Sequence, residues 1–399
     1  MGKHDLRCDG DTTVRNRLAP QICITLMASL AVLFAADKPI WKLDTQAQGI
    51  PKMWIDRPVE SSRYSAVRLQ ISPDNEVIIS FFQRRRQREL ATKTTPEKSG
   101  SIFVSLFIDK DDGGLITKSE WPVIGESVWW ERASRGSRIK SLASGGYVGI
   151  INGHLQVLDS SLKVIHDRTL DRPREHWKYD LITPLAGSFF ILAQRYVKFT
   201  ERIEVIDSRT FKILDQWESS DLCVQDIWED HIVAIRSQGN NGYNVIEKRI
   251  GGSWRNVFSK MEEEYNQARF TNNGTIAEAS YLKQNLVAND CWFVIDGENK
   301  SDPIIYSKRE RIQNIIPAQQ IPVIAIEISK MSGFRAAIDM NSQNLVVLYD
   351  MLKRRKLLET KSHEDIIGYA LSPDGLSLAL LTEEKLEVYA VPSIDSKKK

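Results

Sequence analysis

Cysteine is scarce in this sequence of 399 residues, which contains four. Two of them, Cys223 and Cys291, lie beyond the N-terminal region, and neither belongs to a Cys-x-x-Cys pair. The sequence therefore lacks the cysteine spacing of zinc sites and of redox motifs. In an oxidising compartment the two could form a disulfide. Two separate structural thiols are the alternative that the spacing leaves open.

Catalytic sequence motifs are also missing. The chain has no Gly-x-Ser-x-Gly elbow, no His-Glu-x-x-His pair, no phosphate-binding P-loop and no Gly-x-Gly-x-x-Gly turn. Its six histidines are scattered along the chain, and neither His176 nor His363 has an obvious cysteine or serine partner nearby. These absences favour a protein that is not an enzyme, although they leave an enzyme open as an alternative.

An excess of one charge is absent too, because 54 lysines and arginines face 52 acidic residues, for a formal net charge of +2. Proteins that bind nucleic acid or an anionic membrane through their overall charge carry a basic surplus. We therefore expect no nucleic-acid partner. Hydrophobic residues make up 42% and charged residues 27% of the chain, which is typical of a globular protein.

Long hydrophobic runs are limited to one apolar segment at residues 22–36. As a helix it would be only about 22 Å long, shorter than the roughly 30 Å hydrocarbon core of a membrane. Basic residues precede it and small residues end it, which together predict a secretory signal over residues 1–36. The chain is then expected to be exported, to a periplasm or the extracellular space. An uncleaved anchor is the alternative, and only then would a membrane be a partner.

Short apolar segments separated by turn residues fill the rest of the chain. Ser-Pro-Asp-Asn at 72–75 and Ser-Pro-Asp-Gly at 372–375 each precede such a segment, and these residue types suit tight turns. Comparable turns begin near Ser144, Ala186, Glu229, Asn272 and Ala318. From Ser144 to Asn272 the turns follow one another at intervals of about 43 residues, the length of one four-stranded propeller blade.

The repeat predicts an all-β fold, a seven-bladed β-propeller of four-stranded antiparallel blades over residues 37–392. A disordered basic tail is expected at 393–399. In each blade, strand A lines the central channel, and strands B, C and D follow outward. The last segment provides only three strands, so we expect residues 39–44 to supply the fourth and close the ring.

The two Ser-Pro-Asp turns, each followed by an apolar B strand, resemble the A–B turns of bacterial secreted propellers related to WD-repeat and YVTN-type repeat proteins. The resemblance covers residues 39–392 and implies a fold rather than an activity. The Trp-Asp dipeptide and the Tyr-Val-Thr-Asn tetrapeptide of these proteins are absent from the chain.

Residues 107–121, FIDKDDGGLITKSEW, allow two interpretations. Asp109, Asp111, Gly114 and Glu120 fall at positions 1, 3, 6 and 12 of an EF-hand calcium loop. Gly113, however, occupies position 5, where a ligand side chain is needed, and the preceding segment is typical of a strand. We favour a hairpin turn between strands C and D of the first blade and expect no cofactor. A calcium-stabilised structural protein is the alternative.

A contact face is predicted where the B–C and D–A loops share one rim, beside the mouth of the channel. The candidate residues are Arg84, Arg85, Arg86, Trp129, Trp130, Arg174, His176 and Trp177. Arginine clusters bind carboxylates and phosphates. The alternatives are that the arginines belong to a solvated loop and that the tryptophans pack between blades as core.

The sequence therefore predicts a binding module whose partner, an unknown protein or small molecule, contacts this rim. The alternative is a lactonase-like hydrolase on the same scaffold, with its site at the channel mouth. The predicted A strands contain scattered candidates for such a site, namely Asp180, Gln225, Asp226, Gln267, Asn314 and Asp365. Because they are scattered, they favour binding over catalysis.

Overall fold

The computed structural model describes residues 38–50, 67–84, 101–122, 139–171, 178–184, 187–196, 199–238, 242–261, 263–282, 290–295, 305–308, 310–330, 344–360, 366–382 and 384–392. These residues form 28 β-strands in seven four-stranded antiparallel sheets. Among them, no helix has the length and apolar character needed to cross a membrane.

The first strand, β1, covers Trp41–Asp44, and the strands that follow group into sets of four. Blade 1 contains β2 (Val67–Ile71), β3 (Glu76–Arg84), β4 (Ser101–Asp109) and β5 (Leu115–Pro122). Blade 2 contains β6 (Ile139–Ser141), β7 (Tyr147–Ile151), β8 (His154–Leu158) and β9 (Val164–Thr169). Blade 3 contains β10 (Lys178–Ile182), β11 (Phe189–Tyr196), β12 (Phe199–Asp207) and β13 (Ile213–Glu218).

The second half of the chain continues in the same way. Blade 4 contains β14 (Leu222–Trp228), β15 (His231–Ser237), β16 (Gly242–Arg249) and β17 (Arg255–Met261). Blade 5 contains β18 (Glu263–Phe270), β19 (Ile276–Leu282), β20 (Asp290–Ile295) and β21 (Ile305–Lys308). Blade 6 contains β22 (Glu310–Pro317), β23 (Val323–Lys330), β24 (Asn344–Asp350) and β25 (Arg355–Glu359). The last strands are β26 (Gly368–Leu371), β27 (Ser377–Leu381) and β28 (Lys385–Ala390).

The blade count corrects the prediction of seven. In the described part of the chain, six blades are completed by four consecutive strands, and the seventh sheet is a composite of both chain ends. In this closing sheet β1 pairs antiparallel with β28, and Lys42 lies opposite Glu387. β1 joins this sheet because β28 would otherwise be an open edge. The backbone groups of β28 that would be unpaired form hydrogen bonds with β1 instead.

Hydrophobic clusters hold the sheets in a ring. One cluster lies between each pair of neighbouring sheets, from blades 1 and 2 round to blade 6 and the closing sheet. A further cluster joins the closing sheet to blade 1, where Val388 and Ala379 pack with Val77 and Val104. The ring is therefore continuous, and its stability comes from the burial of apolar surface at every interface.

Burial follows the position of each strand within its sheet. All five residues are buried in both β7 and β27, as expected of B strands that are covered on both faces. The outer strands β9 and β13 alternate between exposed and half-buried residues instead. Burial therefore decreases from the B strands to the outer D strands of these sheets.

The interpretation of residues 107–121 as a hairpin is confirmed, because β4 pairs with β5 across this turn. The Asp109 carboxylate accepts a hydrogen bond from the N–H of Asp111 at 2.7 Å, which caps the turn. Gly113 has a φ of 78°, and a side chain there would lie 2.9 Å from the ring of Trp41. The indole N–H of Trp41 donates to the Lys110 carbonyl at 2.6 Å, so this turn also anchors the closing strand.

Candidate functional site

The side chains of the eight residues predicted to form the contact face all lie outside what the structure describes. Arg84 is described only as the backbone end of β3, opposite Ser101. The other seven, from Arg85 to Trp177, lie outside the described residues. The N-terminal segment 1–36 and the tail 393–399 also lie outside them.

Two of the channel candidates, Gln225 and Asp226, have hydrogen-bond partners within the protein. Gln225 and Asp226 are both buried on β14, where the pairing register shifts at a bulge. The Gln225 amide donates to the carbonyl of Cys223, and the Asp226 carboxylate accepts the N–H of Phe270 in the next blade at 3.0 Å. Burial raises the pKa of Asp226, and the positive charge of Arg269 opposes that shift. Asp226 therefore braces blade 4 against blade 5, whereas the Gln225 side chain bonds within its own strand.

Of the remaining channel candidates, Asp180 on β10 and Asn314 on β22 are half-buried, Gln267 is described only as backbone of β18, and Asp365 lies outside the described residues. Within the described ranges, no three His, Cys, Asp or Glu side chains are close enough to hold a metal ion together. Cys223 carries a buried thiol rather than a disulfide.

A polar cavity of about 140 Å³ lies between blades 2 and 3. One wall is formed by the end of β9 and the residues up to Asp171, after which the D–A connection begins. The other wall is formed by β10, β11 and β12, close to the B–C connection of blade 3. The cavity thus lies at the edge of the sheets where D–A and B–C connections run.

Strand pairing explains why polar side chains meet there. Tyr179, Gln194 and Arg202 form one row across β10, β11 and β12. Leu192 and Glu204 are opposite each other in the row next to it, deeper between the blades. Side chains alternate between the faces of a strand, so both rows project toward blade 2. Ile206, the next residue on this face of β12, belongs to the core between blades 2 and 3.

A shared ion pair organises the cavity. Glu204 is 5% exposed, and its two carboxylate oxygens contact two different arginines. Nη2 of Arg168, from blade 2, is 2.5 Å from Oε2, and Nη2 of Arg202 is 2.9 Å from Oε1. The arginine side chains are 32% and 49% exposed, so the guanidinium groups connect the buried carboxylate with solvent.

Tyr179 completes the wall as a neutral hydrogen-bond donor. Its hydroxyl donates to the backbone carbonyl of Asp171 at 3.1 Å. Burial raises the pKa of Tyr179 to about 12, the negative charges of Asp171 and Glu204 add to the rise, and Arg202 and Arg168 oppose it. The phenol therefore keeps its proton at any ordinary pH.

Other blades have apolar residues where blade 3 has Glu204. Counted as the third residue before the end of the C strand, the equivalent positions in blades 1, 4 and 6 are Leu106, Ile246 and Val347. All three are buried and belong to the core between their blade and the sheet before it. The closing sheet differs, because its third residue before the end of β28 is the buried Glu387, which pairs with Lys42 and Lys385. A charged residue at this position is therefore found in blade 3 and in the closing sheet, and it is not demanded by the repeat.

Sequence reasoning missed this site because it searched the loops. Arg168 and Glu204 lie on strands of different blades and meet only when those blades pack together. The pattern in β12, FTERIEVID, gave no signal either, because Arg202 and Glu204 share one face and make it look solvent-exposed in the sequence.

Comparison with known proteins supports the fold. No family model matches the sequence, and no curated protein matches it either. Among solved structures, a chain of hydrazine synthase from Kuenenia stuttgartiensis is 13% identical with a TM-score of 0.50, and the match covers 84% of this chain and 98% of that one.

Two further structures match over most of their length. A chain of the mitotic checkpoint complex is 12% identical, with a TM-score of 0.51 and 98% coverage of both chains. The WD40 domain of Pan2 from Neurospora crassa is 11% identical, with a TM-score of 0.51 and coverage of 90% of this chain and 97% of that domain. The resemblance to WD-repeat-like propellers is confirmed at the level of the fold, and such low identities support nothing finer.

Proposed function

We propose that this chain is a binding module that engages a protein segment or a small molecule at the rim where its D–A and B–C connections run. The observation that carries the proposal is the cavity between blades 2 and 3, with its half-exposed arginines and buried carboxylate at that rim. Concave sites with a few convergent polar groups are the usual places of ligand binding.

The fold is compatible with this role. Propellers present loops from several blades on one rim, and a partner can contact more than one of them at once. The Pan2 WD40 domain and the mitotic checkpoint complex chain share this architecture, and the second of these chains belongs to a complex. From these two structures we carry over to this chain only a general role, that of a scaffold for contacts between molecules.

Site-specific photocrosslinking in native cells tests which rim is used. A photoreactive residue would replace Asp171, which is exposed beside the cavity, and in a second protein Leu352, which is 76% exposed on the turn between β24 and β25. That turn is a C–D turn, so it lies on the opposite rim. The proposal expects discrete crosslinked products at residue 171 and none at residue 352. Products confined to residue 352, or equal at both positions, would contradict it.

We also propose that the chain is exported, on the strength of the basic and apolar segments within residues 1–36. Fractionation of cells that produce the full chain with a C-terminal tag checks this point. Recovery of the tag in the periplasmic or extracellular fraction is expected, with loss of that signal when Leu30 and Leu33 are replaced by aspartate. A tag found only in the cytoplasm would overturn the proposal of export.

A further inference from the structure

We infer that the cavity between blades 2 and 3 binds a carboxylate, supplied by the acidic side chain of a partner segment. The inference rests on the proposed function, because it specifies the ligand chemistry of the same rim. Four properties of the cavity carry it: its surplus of hydrogen-bond donors, its charge balance, its volume and its departure from the other blades.

Hydrogen-bond donors exceed acceptors in the cavity. Each guanidinium group has five N–H donors. Within the described residues, Arg168 and Arg202 each use Nη2 for Glu204, and the remaining donors of both groups are available for a ligand. The half-buried Gln194 amide adds two more N–H donors to the lining. Both oxygens of Glu204 already accept, so the cavity matches a ligand that accepts hydrogen bonds.

Charge separates a carboxylate from a phosphate. The positive charges of Arg168 and Arg202 are balanced by Glu204 and by the exposed carboxylate of Asp171 at the mouth. A dianionic phosphate would meet this balanced set with two negative charges and would be repelled by Asp171. A carboxylate brings one charge and accepts the forked N–H groups of arginine in a favourable geometry.

The volume of the cavity limits the size of the ligand that it can hold. Cavities of roughly 150 Å³ take up a molecule as large as benzene, and this cavity of about 140 Å³ therefore has room for the end of an aspartate or glutamate side chain. The rest of such a ligand would lie outside, along the rim. This geometry suits a side chain of a longer segment better than a whole metabolite.

The other blades show that the charged set is not needed for folding. Leu106, Ile246 and Val347 fill the position of Glu204 in blades 1, 4 and 6. Replacing a buried ion pair by well-packed apolar residues is often neutral or stabilising. The ion pair between Glu204 and Arg168 lies beside a cavity and is partly open to solvent, so ligand binding explains it better than stability does.

A peptide titration of the full chain tests the inference, followed by NMR or calorimetry. The probes are blocked tripeptides Ala-X-Ala with X as glutamate, glutamine or phosphoserine, together with sodium acetate. We expect the glutamate peptide to bind at least about tenfold more tightly than the glutamine peptide, the ratio expected for one charge-assisted hydrogen bond. The phosphoserine peptide and acetate are expected to bind more weakly than the glutamate peptide.

Matched variants locate the binding. Arg202→Gln removes one guanidinium from the cavity and should weaken the glutamate peptide about tenfold. Arg255→Gln is the control, since Arg255 also contacts a buried glutamate of a C strand, Glu247, at 2.7 Å but does not line the cavity. The affinity of the Arg255→Gln protein for the glutamate peptide should equal that of the unchanged protein. Both side chains are largely exposed, so both variants are expected to fold, which thermal melting verifies.

Several outcomes would overturn the inference. Equal binding of the glutamate and glutamine peptides, equal loss in both arginine variants, or tighter binding of phosphoserine would each exclude a carboxylate site here. Acetate binding as tight as the peptide would exclude a partner segment as the source. If none of the probes binds while residue 171 still gives crosslinks, this inference fails and the proposed function stands. Crosslinks at residue 352 alone, with the glutamate peptide still bound and sensitive to Arg202→Gln, would contradict the proposed function and leave the carboxylate site supported.

Discussion

Two neighbouring interfaces of the ring each contain an ion pair that joins the C strand of one blade to the D strand of the blade before it. Between blades 2 and 3 the pair is Glu204 and Arg168, and between blades 3 and 4 it is Lys248 and Asp215. The signs are reversed: blade 3 contributes a buried acid from its C strand and blade 4 a buried base. The two interfaces differ most in what covers the charges.

Aromatic side chains cover the pair between blades 3 and 4. Lys248 Nζ is 2.7 Å from the Asp215 carboxylate, and it lies 4.3 Å from the ring centroid of Trp217 and 5.7 Å from that of Trp254. The same Asp215 oxygen accepts the N–H of Gly251 at 2.8 Å. Between blades 2 and 3, the corresponding space is a cavity, and Arg168 remains 32% exposed.

The two ion pairs join equivalent strands, but their roles differ according to whether other side chains cover them. A pair enclosed by tryptophan rings has its charges fixed on each other and is part of the core. A pair beside a cavity keeps spare donors that a ligand can use. Substitutions at the two interfaces should separate these roles, most clearly where a buried charge loses its partner.

Removing the acid from the covered interface should have the largest effect. Asp215→Ala leaves Lys248, whose side chain is 7% exposed, without its counter-charge. Breaking a buried pair in this way typically costs 3–5 kcal/mol, and we expect about 4 kcal/mol in the free energy of unfolding. Urea denaturation measures the loss. Asp221→Ala, which removes the partner of the half-buried Arg236, serves as the control and should cost less than about 1 kcal/mol, because the Asp221 side chain is 52% exposed.

Removing the acid from the open interface should cost less. Glu204→Ala also deletes a buried carboxylate, but both arginines reach solvent and can be hydrated. We expect a loss of about 1–2 kcal/mol in the same urea experiment. A loss as large as that of Asp215→Ala would mean that the open pair is as structural as the covered one, and the contrast between the interfaces would disappear.

The stability of the interface between blades 2 and 3 should also depend on pH in the alkaline range, through Tyr179. The pKa of Tyr179 is raised to about 12 in the folded protein, mainly by burial, from its ordinary value near 10. The stability that this adds is fully present below pH 10 and is lost as the pH rises toward 12, because the unfolded chain loses the proton first. In Tyr179→Phe, the melting temperature should therefore fall less between pH 9.5 and 11.5 than in the unchanged protein. An identical fall in melting temperature for the two proteins would show that folding does not raise the pKa of this phenol.

The smallest expected effect on stability belongs to Arg202→Gln. The side chain is 49% exposed, and Glu204 keeps Arg168 as its partner. We expect a change within about 0.5 kcal/mol, measured by thermal unfolding, even though this variant is the one that should weaken peptide binding. A loss above about 2 kcal/mol would assign Arg202 to the structural framework and remove it from the ligand site.

Much of the fold was accessible from the sequence. The turns near Ser72, Glu229, Ala318 and Ser372 fall between the first and second strands of their sheets, because each is a local signal made by a few adjacent residues. The blade count needed the correction that only six blades are continuous. The prediction that residues 39–44 supply the missing strand of the last sheet is confirmed, because Trp41–Asp44 pairs with β28.

The site was much less accessible. Loop arginines and tryptophans attract interest because their chemistry is conspicuous, whereas Arg168 and Glu204 sit in strands that look ordinary. Their contact depends on how blade 3 is rotated against blade 2, and no local pattern reports that rotation. Only the comparison of Glu204 with Leu106 and Val347 in other blades shows that a charge has replaced an apolar side chain.

The pairing of β1 with β28 has a consequence for biosynthesis. Trp41 is synthesised well before Val388 and can pair with it only after all the blades between them have left the ribosome. At synthesis rates of about 5–20 residues per second, β1 waits on the order of tens of seconds for the strand it will join. Until then β1 has no partner strand, and a nascent polypeptide in that condition is a natural client for chaperones.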